Sequence, residues 1–86
     1  MKPYKDSKNK KEIIREFCKD TDALDLVWHR DSKNREVRVL EGIGWFFQRE
    51  NSLPKLMSKG DLIKIEKEEW HRIIKGSTTL VVEIKE

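Results

Sequence analysis

Two histidines and one aspartate stand out in this sequence by the residues around them. His29 and Asp31 are two apart, so in an extended segment both side chains point the same way as Val27. His71 shares its face with Ile73, while Trp70 and Arg72 point to the other side. Each polar group therefore lies on an otherwise apolar face. Two imidazoles and a carboxylate form the set that holds Fe, Mn, Ni or Zn as a divalent ion by one side and leaves positions open for oxygen or substrate. The same residues also have a use without metal, in which Asp31 pairs with Arg35 and each histidine donates to a backbone carbonyl. An inward Arg35 would in addition offer a planar fork to a ligand carboxylate or phosphate.

The elements that must position these residues are short. After Asp20 the apolar period is two, which predicts strands near residues 24–30, 35–40, 44–49, 55–57, 62–65, 70–74 and 80–84. Turn residues separate them, as in Asp31-Ser32-Lys33-Asn34, Asn51-Ser52-Leu53-Pro54 and Lys59-Gly60-Asp61. Seven short strands imply a sandwich or barrel, where neighbouring strands can bring His71 beside Asp31 across about 40 intervening positions. Before Asp20, Ile13, Ile14, Phe17 and Cys18 recur at helical spacing, which predicts one amphipathic helix ending near Lys19, with Cys18 buried on its apolar side.

Composition narrows the function classes. At 86 residues, with 36% apolar and 41% charged side chains, there is material for one small core and no second domain. Cys18 is alone, which removes an internal disulfide. The net charge of +3 comes from residues 1–19, where seven Lys/Arg face three acids. The rest lacks the basic, aromatic-studded stripe that nucleic acid wants. The basic segment could otherwise dock on an acidic partner. No run has the length or hydropathy of a membrane span or a secretory signal, so the expectation is a cytoplasmic protein without membrane association. Glycine-rich phosphate loops, Gly-x-Ser-x-Gly elbows and paired-Cys zinc motifs are absent.

From Trp28 to Gly42 and from Gly60 to Ile74 the sequence resembles the two motifs of the cupins. The family's first motif places His, a second His two residues on, a Glu and then a Gly; its second runs from Gly to His, and Gly60 to His71 has that spacing. Here Asp31 stands where the second His is usual, Glu66 and Glu68 replace a Pro and a Gly, and Lys75 replaces a common Asn. Counted back from Gly42 without a gap, the family's Glu falls on Arg35; a one-residue bulge would bring Glu36 inward instead and turn Val37 and Val39 outward. The resemblance covers roughly residues 24–86. It implies an all-β fold, a small double-stranded β-helix or jelly-roll barrel (residues 23–86) behind a basic leader and helix (residues 1–22).

With Asp31 and Arg35 in place of two family ligands, the four-ligand pattern is reduced to three and a metal is not simply inherited. His29, Asp31 and His71 still suffice for a divalent ion, with a small polar molecule in the barrel mouth; a homodimer is common in the family. Arg35 and Trp45 are the candidate ligand-binding residues, Trp45 because its strand would neighbour the first motif. Trp28 and Trp70, each beside a candidate ligand, should face away from it. An enzyme of this design would be an oxygenase, isomerase or lyase; the competing reading is a metal-free binding or regulatory module. The triad also occurs in 2-oxoglutarate-dependent oxygenases, but those are much larger and carry a basic anchor beyond the last histidine, where this chain has Leu80, Val81 and Val82.

Overall fold

The computed structural model describes residues 3–9 and 11–86. Among the described residues eight strands form two antiparallel sheets. The larger contains β1 (Lys5–Asn9), β2 (Glu12–Phe17), β8 (Leu80–Lys85), β3 (Arg35–Glu41) and β6 (Leu62–Ile65), in that order. The smaller places β4 (Phe46–Arg49) between β5 (Lys55–Leu56) and β7 (His71–Ile74). The result is a jelly-roll arrangement of two sheets; their strands do not form one continuous closed barrel.

Strand β8 organises the larger sheet. Leu80, Val82 and Ile84 alternate inward, and the register sets Phe17, Arg15 and Ile13 of β2 opposite them on one side. On the other side β3 sets Val39 opposite Val82 and Val37 opposite Ile84. The inward residues of β8 and β3, with Trp45, Phe47, Met57 and Ile65, make the core, and Ile13 and Phe17 pack against it. A register shift between Val39 and Glu41 bends β3 away at its end.

Two segments differ from their sequence-based expectation. The N-terminal segment is a hairpin strand pair, not a helix. A short apolar run satisfies either period, and what decides is long-range: Glu12–Phe17 finds a full antiparallel partner in β8, which fixes Ile13, Arg15 and Phe17 on one face. Cys18, expected on a buried helix face, lies just past β2 and is exposed, its Sγ 3.5 Å from the Asp20 amide. Nor is residues 24–30 a strand. Asp22 caps a single 3-10 turn (Ala23–Asp25), its carboxylate accepting the Leu24 N–H at 3.0 Å, and only His29 makes a β-bridge. Among the described residues no helix is long and apolar enough to cross a membrane.

Gly76 packs tightly against residues 43–45. A Cβ there would strike the Ile43 carbonyl and the Trp45 backbone and ring, all of which are held in place. Gly60 instead needs its left-handed backbone (φ +92°) but faces open space. Gly76→Ala is therefore expected to cost about 2–3 kcal/mol in urea unfolding through overpacking, and Gly60→Ala about 1 kcal/mol through backbone strain alone.

Candidate metal and ligand site

Reciprocal backbone hydrogen bonds join His29 and His71: the His29 N–H donates to the His71 carbonyl at 3.0 Å, and the His71 N–H to the His29 carbonyl at 2.9 Å. This antiparallel bridge sets the two side chains on the same face, with ring centroids 4.2 Å apart. Asp31, two residues on, joins them from a loop that is itself anchored. The Glu68 N–H donates to the Asp31 carbonyl at 2.7 Å, and the Lys67 N–H to Asn34 Oδ1 at 2.8 Å. One ligand atom each from His29, Asp31 and His71 lies within 4.8 Å of the others.

The hydrogen bonds decide what these groups present. His71 Nδ1 lies 2.7 Å from the Glu69 carbonyl, and His29 Nδ1 lies 3.1 Å from that of Val27. A carbonyl oxygen only accepts, so each Nδ1 carries a proton, and Nε2 is the nitrogen that holds the lone pair of a neutral ring. Burial pushes the His71 pKa down from the usual imidazole value, against the Glu69 hydrogen bond and the Asp31 charge, so the ring is neutral at pH 7. His71 Nε2 then faces Asp31 Oδ2 at 3.4 Å, acceptor against acceptor. Asp31 Oδ2 is buried and without a hydrogen-bond partner. An acceptor pair of this kind calls for a cation between its members, and two imidazoles oriented by carbonyls are the usual support for one. The residues fit a divalent metal.

Arg35 faces this site and Glu36 is exposed, as the ungapped register requires. The Arg35 guanidinium approaches Asp31 Oδ1 at 3.3 Å through Nη1 and Glu86 Oε2 at 2.9 Å through Nε. Both features of the metal-free reading, the Asp31–Arg35 pair and the histidine–carbonyl bonds, are thus present. They leave His71 Nε2 and Asp31 Oδ2 without a hydrogen bond.

His29, Asp31, Arg35 and His71 line one cavity of about 370 Å³ between the sheets. Trp45 does not. Its strand pairs with β5 and β7 and not with β3, and its ring is wholly buried in the core, donating its indole N–H to the Thr78 carbonyl at 2.6 Å. Trp28 and Trp70 point outward, 38% and 39% exposed, under the guanidiniums of Arg72 and Arg30. The sequence reading missed Arg15, which lines the cavity from β2, its Nε and Nη2 bonded to Asp6 at 2.8 and 3.0 Å. The signal was the alternation Ile13, Arg15, Phe17, hidden by the equally good helical spacing of Ile13, Ile14 and Phe17.

Glu68, where cupins usually have Gly, adopts a left-handed backbone (φ +63°) while its N–H holds Asp31. The conformation remains where its favoured residue does not. Glu68→Gly should therefore stabilise the protein by about 0.5–1 kcal/mol in urea melts, since the exposed Arg30–Glu68 ion pair it loses contributes little.

No family model matches the sequence, and no curated protein matches it. Solved structures do. The chain is similar to protein NMB1881 from Neisseria meningitidis, at 13% identity and TM-score 0.65 over 95% of this chain and 80% of that one. It is similar to a cupin-2 domain containing protein from Shewanella frigidimarina, at 14% identity and TM-score 0.64 over 95% of this chain and 78% of that one. It is also similar to Fe(II) HppE, at 19% identity and TM-score 0.65, covering 85% of this chain and 40% of HppE, so it spans less than half of that protein. These likenesses show that this chain has the same two-sheet jelly-roll fold as the cupin-domain structures.

Proposed function

We propose that this protein binds a divalent transition metal through His29, Asp31 and His71, at the polar end of a cavity that receives a small molecule. The observation carrying this reading is the buried, unpartnered Asp31 Oδ2 facing the lone pair of His71 Nε2. The Fe(II) in the HppE structure supports iron among the candidate metals. A bound metal would supply Lewis-acid polarisation or oxygen activation, the chemistry of an oxygenase, isomerase or lyase. The chain's own residues do the rest. Glu69 and Val27 carbonyls fix the imidazole tautomers, Glu68 and Asn34 hold the Asp31 loop, and Arg35 sets the Asp31 carboxylate and stands ready to orient an anionic ligand.

A metal-free binding module is the second reading, favoured by the Asp31–Arg35 pair. On either reading the exposed Trp28 and Trp70, with Leu53 beside them, supply apolar surface for a homodimer.

Mass spectrometry of untagged protein purified without chelator is expected to find near-stoichiometric iron, manganese, nickel or zinc, lost in His71→Ala. Added metal should raise the stability of the wild type, by about 2.7 kcal/mol at a hundredfold excess over Kd, and leave the variant's midpoint where it was. Protein that takes up no metal even after soaking would establish the metal-free module instead.

A further inference from the structure

A small polar molecule would find few partners on the walls of this cavity. Polar side chains gather where His29, Asp31, Arg35 and His71 meet. Tyr4, Arg15 and Asp25 are the other polar residues of the lining, and the rest is hydrocarbon from both sheets, with Phe47 and Ile73 from the smaller and Ile63, Val82 and Ile84 from the larger. A sugar or other polyol lying between the sheets would give up more hydrogen bonds to water than these few polar groups could return. An apolar body would instead gain from leaving water. The volume of about 370 Å³ has room for about a dozen water-sized groups.

The charged end is equally selective. Two arginines line the cavity, but Arg15 is committed: its Nε and Nη2 are bonded to Asp6, and its guanidinium lies 3.8 Å from the centre of the Tyr4 ring. Arg35 uses Nε on Glu86 and Nη1 on Asp31, and its Nη2 has no bonded partner among the described residues. This remaining cationic donor beside the candidate metal ligands can take one oxygen of a carboxylate.

Resting on the proposal that this cavity is a metal and ligand site, we infer that its ligand is an amphipathic monocarboxylic acid. The carboxylate sits against Arg35 and the triad, and a compact apolar body of about a dozen non-hydrogen atoms fills the space between the sheets. The small polar molecule implied by the family resemblance is the wrong class for these walls.

Isothermal titration of the full chain, in zinc-loaded and in EDTA-treated form, tests this with octanoate, 3-phenylpropanoate, gluconate and octanamide as probes. Octanoate or 3-phenylpropanoate should bind at least about tenfold tighter than gluconate in both forms, and octanamide about tenfold weaker than octanoate. In the EDTA-treated form Arg35→Met should erase the difference between octanoate and octanamide. Gluconate binding as tightly as the apolar acids, or neither apolar acid binding in either form, overturns the inference. A gap between octanoate and octanamide that survives Arg35→Met overturns the placement of the carboxylate. Zinc that fails to bind, with the order of affinities intact in EDTA-treated protein, overturns the metal reading and upholds the ligand class.

Discussion

The site depends on one pair of backbone hydrogen bonds. His29 and His71 are 42 positions apart, and the segment around His29 has no other ladder to hold it: it follows a 3-10 turn and makes a single bridge. The reciprocal N–H to carbonyl bonds with His71 fix its register on β7, and through the period of two they also fix where Asp31 points. A slip of one residue there would put Arg30 in place of His29 or Asp31 and scatter the cluster. The anchoring is reinforced from the other strand end, where Glu68 holds the Asp31 carbonyl and Lys67 holds Asn34. The strained backbone of Glu68 is part of that reinforcement. A left-handed residue at this point turns the chain so that its N–H meets the Asp31 loop just before β7 begins.

Charge at the site is balanced in layers. Asp31 stands between a guanidinium and a neutral imidazole, with one oxygen directed to each. Arg35 spends part of its charge on Glu86, and Arg15 spends its own on Asp6. Asp31 is therefore only partly neutralised by Arg35, which leaves Oδ2 with the charge and the lone pairs that a divalent ion would use. A fully satisfied carboxylate would have little reason to ligate. Arg35 has the opposite effect on a cation, since its positive charge is a few ångströms from the position the ion would take, and the same proximity draws an anionic ligand to that end.

Much of this was legible in the sequence wherever alternation was unambiguous. Val37 and Val39 fixed the face of β3, and with it the inward turn of Arg35 over Glu36; His71 beside Ile73 fixed the face of β7. Strand β6 begins and ends where its four residues predict. What failed, failed for lack of long-range information. Ile13, Ile14 and Phe17 suit a helix as well as a strand, and only the unpaired edge of β8 makes a strand the better solution. Trp45 was misplaced because its pocket role assumed that β4 lies next to β3, whereas β4 is the centre of the other sheet. Pairing partners, unlike faces, are not written in a local pattern.

The hollow interior itself is the last clue to what the protein is for. A chain of 86 residues buries little surface, and among the described residues seven of the nine apolar side chains of its core line the cavity. Larger residues at Ile63, Val82 or Ile84 would fill the space between the sheets and strengthen a small core, as packing alone would favour. The chain instead spends its bulk elsewhere: Trp45 is in the core away from the cavity, and Trp28 and Trp70 are on the outer surface. Aliphatic and aromatic walls that leave a space with a charged end forgo stability that one or two substitutions could supply. In a domain this marginal, that sacrifice is consistent with a cavity kept open for something that enters it, and the chemistry of the walls indicates an apolar body with an anionic head.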